Sequence, residues 1–172
     1  MRILAAILIV FCVAISCQNN EKQDTTTYYL IRHAEKERSP DVGNDPLLTE
    51  KGKGRANFWA KYFKDKKLDA VYSTNTKRTI ATAKPTAKEF DLMVKTYDAD
   101  KMYSSSFEEQ TAGKTVLIVG HSNTTPEFVN AIISEKRYSE IDDNEFGIVY
   151  RVILKNGKSK VEQETINNWD NP

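Results

Sequence analysis

Tyr28-Tyr29-Leu30-Ile31-Arg32-His33-Ala34-Glu35-Lys36 begins as an apolar and aromatic run and then turns abruptly charged. A short continuous apolar run reads as a strand buried on both faces, as in a parallel sheet covered by helices. Ending such a strand on Arg-His places two chemically active side chains at the carboxyl edge of that sheet. In an open α/β sheet, that edge is where ligands bind.

Further along, short apolar runs alternate with helical patterns. Residues 69–73 and 93–97 read as a second strand and a weaker third, and Thr115-Val116-Leu117-Ile118-Val119-Gly120 as a strong fourth. Between the first two strands, Thr49 is placed to cap a helix whose Ala56, Trp59, Ala60 and Phe63 recur at helical spacing. A second helix is expected over about residues 75–90, with Ile80, Ala83, Ala87 and Phe90 inward and Pro85 kinking or dividing it. A third covers about residues 126–135. Residues 147–166 read as a β-hairpin around Asn156-Gly157, placed at the edge of the same sheet. The fold class that follows is α/β: a three-layer sandwich with a mainly parallel central sheet, helices on both faces and a C-terminal edge hairpin.

The chain has 172 residues, 40% apolar and 28% charged, which suits one well-buried domain. Its first residues differ. Met1-Arg2 precedes an unbroken apolar run to Ile15, short for a membrane span and well sized for the apolar core of a signal peptide. Ser16-Cys17 directly after it resembles the lipobox of bacterial lipoproteins, which implies that Cys17 becomes a lipidated N-terminus. The expected organisation is a signal peptide over residues 1–16, a polar tether over 17–26 and the folded domain over 27–168. The expected location is the cell envelope, on the periplasmic side or the cell surface, with the membrane reached through the lipid anchor. The only two cysteines are Cys12 and Cys17, so the domain has no thiol for a disulfide, a zinc cluster or a nucleophile. Without residues 1–16, 24 basic residues balance 24 acidic ones, and the basic excess of a nucleic-acid binder is missing.

Reading the strand ends gives Arg32-His33 after the first strand, Ser73 to Arg78 after the second, and Gly120-His121-Ser122-Asn123 after the fourth. The two histidines of the chain both lie there. Histidines with arginines and no thiol suit work on an anion rather than a metal, and neither a metal nor a cofactor is expected. Arginine offers a planar fork of donors to phosphate oxygens, and a neutral imidazole can attack phosphorus to form a phosphohistidine. Each piece alone has a plainer meaning: a loop histidine, a surface ion pair, a sharp turn at Gly120.

Taken in order, these segments resemble the histidine phosphatase superfamily, the fold of cofactor-dependent phosphoglycerate mutases and many phosphatases. Arg32-His33-Ala34 matches the family's Arg-His-Gly, Ser73 to Ala83 its Ser-x-x-x-Arg-x-x-x-Thr-Ala segment, and Gly120-His121-Ser122 its Gly-His-Ser. Asp45-Pro46-Leu47-Leu48-Thr49-Glu50-Lys51-Gly52 matches a stretch common in small members. The resemblance implies a phosphomonoesterase in which His33 accepts the phosphoryl group of a small phosphorylated substrate, while Arg32, Arg78 and His121 bind it. Ala34 departs mildly from the family's Gly, and Lys36 stands where mutase-type members carry a small hydroxyl residue. No family acid motif is legible. Asp98, Asp100 and Glu35 are positional candidates for the proton donor, each with a plainer reading as a solvated loop carboxylate. A phosphate-binding module that has lost its acid is the alternative. Residues 98–111, rich in Tyr, Ser, Phe and Glu, are the expected specificity segment.

Overall fold

The computed structural model describes residues 25–169; the signal peptide, Cys17 and most of the tether expected from the sequence lie outside them. Six strands form one sheet: β1 (Thr25–Arg32), β2 (Ala70–Ser73), β3 (Val94–Thr96), β4 (Thr115–Gly120), β5 (Ile148–Lys155) and β6 (Lys158–Thr165). Their order is β3-β2-β4-β1-β5-β6, with β1 to β4 mutually parallel where they pair, and β5 and β6 antiparallel. The sandwich and its edge hairpin are those expected. β1 starts earlier than expected, because Thr25 and Thr26 pair with Lys155 and Leu154 of the hairpin. Two residues assigned to the tether are therefore sheet.

The apolar run of β1 is continuous because both of its faces are covered. Tyr28 and Leu30 join Val116, Ile118, Tyr72 and Tyr150 on one side, under Phe107 of α3 (Ser105–Thr111) and Phe128, Val129 and Ile132 of α4 (Thr124–Ile133). Tyr29 and Ile31 join Val71, Leu117 and Val119 on the other, under Trp59 and Phe63 of α1 (Glu50–Phe63) and Ala83 and Ala87 of α2 (Lys77–Glu89). Each fully buried large apolar side chain contributes about 1.5–3 kcal/mol, so Trp59 and Phe63 alone fix α1 to the sheet.

α1 begins where expected. Thr49 Oγ1 accepts from the Gly52 amide at 3.0 Å, and the Thr49 amide donates to the Glu35 carbonyl at 3.0 Å. A Cβ on Gly52 would stand 2.1 Å from that carbonyl oxygen, so glycine lets the helix start approach the loop that follows β1. Ala60, expected inward, is only half-buried, and Arg55 takes a buried place instead.

α2 differs from expectation in two ways. It runs unbroken through Pro85, which removes one ladder donor while a well-buried opposite face holds the helix together. Its inner face is also more polar, with Thr79, Thr82 and Thr86 fully buried beside Ala83 and Ala87, while Ile80 and Phe90 are half-buried. Within residues 98–111, Phe107 and Thr111 are buried and Tyr103 packs edge-on against Tyr28 with ring centroids 6.1 Å apart, while the other residues are half-buried or exposed.

Candidate active site

The carboxyl ends of β1, β2 and β4 lie side by side, because Arg32 pairs with Gly120 and Ser73 with Val119. Four of the expected site residues, Arg32, His33, Arg78 and His121, meet there. The His33 and His121 rings stand edge to face with centroids 5.5 Å apart.

His33 is 3% exposed. Its Nδ1 lies 2.7 Å from the Ala34 carbonyl, which can only accept, so Nδ1 carries the proton and the lone pair is on Nε2. Burial pushes its pKa down to about 3; the Ala34 hydrogen bond opposes that, and Arg32, Arg78 and His121 add to it. The ring is a neutral imidazole across the physiological range. Ala34 itself keeps a negative φ, so the lost glycine costs nothing there, and its amide donates to Thr82 Oγ1 at 2.9 Å. α2 thereby holds the residue that orients the histidine.

Arg32 is gripped from the loop that enters β5. Its Nη1 donates to the Asp142 and Glu145 carbonyls at 2.8 and 3.1 Å, its Nη2 to Asp143 Oδ1 at 2.7 Å, and Phe146 lies under the guanidinium at 4.5 Å. Asp143 also pairs with Arg38, and these two arginines, Arg38 first, hold its carboxyl well below the usual range. Asp143 is therefore an anion and no proton donor. The Nε groups of Arg32 and Arg78 are buried without a hydrogen-bond partner.

Arg78 sits in the first turn of α2, with Nη2 3.3 Å from His121 Nδ1 and Nη1 3.5 Å from Asp45 Oδ1. Asp45 also accepts from the Lys77 amide at 3.0 Å, a carboxylate at a helix start. Burial, then Arg78 and Arg32, lower the His121 pKa to about 4, against a smaller opposing effect of Asp45. Gly120 is strand, not a turn: a Cβ there would meet Thr124 Oγ1 and Thr125 Oγ1 at 2.9 Å and Tyr97 Oη at 3.0 Å. Glycine is required by close approach rather than by a positive φ.

The three proton-donor candidates do not join this group. Glu35 is bound by Arg55, whose Nε donates to both carboxylate oxygens at 3.1 and 3.0 Å and whose Nη2 donates to Oε1 at 2.8 Å. Asp98 caps a turn by accepting from the Asp100 amide at 3.0 Å, and Asp100 is the second residue of that 3-10 turn, Ala99–Lys101. Residues missed in the sequence include Thr79 and Thr82, for which a threonine stripe on an inward helix face was the available signal, and the 142–146 loop.

The family model described as "Histidine phosphatase superfamily (branch 1)" matches residues 28–99, which contain Arg32, His33 and Arg78 but not His121. The phosphoglycerate mutase of Bacillus anthracis shares the fold with a TM-score of 0.62 at 14% identity, over 87% of this chain and 96% of that one. The family match covers less than half of the chain, and the structural likeness shows a shared fold. Among structures of this fold, the phosphoserine phosphatase of Entamoeba histolytica, solved with 3-phosphoglyceric acid, aligns with a TM-score of 0.63 at 17% identity over 84% of this chain and 98% of that one. A curated relative, phosphoserine phosphatase 1 of Hydrogenobacter thermophilus, is 41% identical over 70 residues, 38% of this chain. The matched stretch spans 33% of that relative's length. The matched stretch contains Arg32, His33 and Arg78, while His121 follows β4 and the residues that bind Arg32 precede β5.

Proposed function

We propose that this chain is a phosphomonoesterase that works through a phosphohistidine on His33. One observation carries the reading: the Ala34 carbonyl fixes the Nδ1 proton of His33, leaving the Nε2 lone pair of a neutral, buried imidazole beside two guanidinium groups. Nε2 attacks phosphorus, the P–O bond to the leaving group breaks, and water later cleaves the P–N bond to release phosphate. Arg32, Arg78 and His121 bind the phosphoryl oxygens, where charge spreads during transfer. The curated relative phosphoserine phosphatase 1, similar over 70 residues, supports a phosphatase.

With Glu35 committed to Arg55 and Asp143 an anion, leaving groups that depart without a proton are favoured. The same observation is what supports the alternative of a phosphate-binding module without turnover. A cleft of about 360 Å³ beside Arg78, lined also by Lys36, Arg38 and Asn44, is the approach for the rest of the substrate. The reading extends to a lipid anchor at Cys17. Thr25 and Arg32 lie at opposite ends of β1, about 25 Å apart, so such an anchor would hold the domain by the end away from His33.

The test is phosphate release by the full chain in detergent from a phosphoester panel. Aryl phosphates with acidic phenols should turn over fastest, with inhibition by vanadate; a folded chain releasing nothing from the panel counts against catalysis and favours the binding module. A pH profile follows from the same histidine. The acid limb of kcat/KM, after correction for substrate ionisation, should lie well below the ordinary imidazole range of about 6.5. A limb assignable to His33 near neutrality contradicts the buried, neutral nucleophile. Both histidines bind protons more weakly folded than unfolded, so stability should fall as pH drops from about 6.5 through about 4 toward 3. Urea midpoints across that window read the sign.

A further inference from the structure

His121 has two ring nitrogens, and the structure fixes both. Arginine has no acceptor, so Arg78 Nη2, 3.3 Å away, donates to Nδ1, which is bare. From the other side, Thr79 Oγ1 donates to the Thr74 carbonyl at 2.8 Å, and Thr74 Oγ1 donates to Thr79 Oγ1 at 3.0 Å. Having used its own proton, Thr74 Oγ1 accepts at 2.9 Å from His121 Nε2, which therefore bears the hydrogen. Thr74 is 4% exposed and Thr79 fully buried, so water does not compete for these bonds.

We propose that Thr74 and Arg78 hold His121 as the Nε2–H tautomer, so that a phosphoryl dianion binds only together with one proton, taken up at His121 Nδ1. This rests on the phosphoryl pocket proposed above and makes Thr74 a positioning residue. When Arg78 Nη2 turns its N–H from Nδ1 to the incoming anion, a dianion oxygen facing the freed lone pair would set two acceptors against each other. One proton between them turns the clash into a charge-assisted hydrogen bond, with Nε2–H still donating to Thr74. The proton comes from solvent for a dianion, or arrives on the substrate monoanion; no bond to phosphorus changes in this step. The charged and titratable groups facing His121 are Arg78 from α2, Arg32 and His33 from the end of β1, and Asp45 from the loop before α1. Burial, and then two cations against one carboxylate, keep the ring neutral until the anion arrives. The consequence is a preference for the phosphate monoanion and an affinity that weakens with rising pH.

Calorimetric titration of the full chain in detergent with inorganic sulfate, in two buffers of different ionisation enthalpy, tests this. Sulfate remains a dianion throughout, so any proton bound is taken from the buffer. About one proton per sulfate is expected near neutrality, with Kd rising about tenfold per pH unit. Thr74→Val should bind sulfate with much less proton uptake, because the ring is then free to carry its hydrogen on Nδ1, and Thr74→Ser should restore it. Equal enthalpies in the two buffers with a flat Kd overturn the proton coupling while leaving the anion pocket standing, and full uptake in Thr74→Val overturns the role of Thr74. Failure to bind sulfate at all overturns the pocket and this inference together, whereas coupled binding without turnover of any phosphoester overturns only the catalytic reading.

Discussion

His33→Ala is expected to reduce phosphate release by about 10⁴-fold or more, the scale at which loss of a covalent nucleophile is felt, while sulfate binding survives. The two readouts separate for a physical reason. The imidazole supplies the atom that bonds to phosphorus, whereas the charge that holds the anion comes from Arg32, Arg78 and His121. Removing the ring opens a small cavity between His121 and Phe146, whose ring centroid lies 6.3 Å from that of His33. The Arg32 contacts to Asp142, Asp143 and Glu145 stay intact. Circular dichroism should report a folded variant. Activity within tenfold of the parent would exclude His33 as nucleophile.

Arg55→Ala should be the most damaging single change away from the catalytic group. Arg55 is 6% exposed, and its three bonds hold a Glu35 side chain that is itself only 14% exposed. Breaking a buried pair from one side strands the other charge at about 3–5 kcal/mol, and Tm should fall by about 10 °C. Replacing both partners, with Arg55→Met and Glu35→Leu, should recover much of that loss, since two apolar groups remove both desolvation penalties. The pair also decides a functional question. Glu35→Gln should lower stability without altering the pH dependence of turnover, whereas loss of a basic limb in that variant would make Glu35 the proton donor.

Legibility followed chain direction. Arg32-His33, Thr74 to Arg78 and Gly120-His121 could be assembled on paper because β1, β2 and β4 are parallel and their carboxyl ends must share an edge. The 142–146 loop could not, although it grips Arg32. It reaches the same edge by preceding β5, an antiparallel strand, and the sequence carries no mark of which edge such a loop joins. Thr49 is legible as a helix cap, whereas Asp45-Pro46 is visible only as part of a family stretch; the structure supplies its physics, a carboxylate at the start of α2. The buried threonines of α2 were hidden by a search for apolar periodicity. Pro85 does not divide α2, because packing of the opposite face outweighs one missing donor. Arg55 lay in the open at an inward position of α1, and an arginine there signals a buried partner.

The most direct measurement is a rapid alkaline quench of the full chain during turnover of an aryl phosphate, followed by peptide mass analysis. A phosphoryl group on the peptide containing His33, absent in His33→Ala and lost with the kinetics of turnover, is the expected result. Steady phosphate release with no phosphoryl adduct on His33 at any quench time would contradict the covalent mechanism.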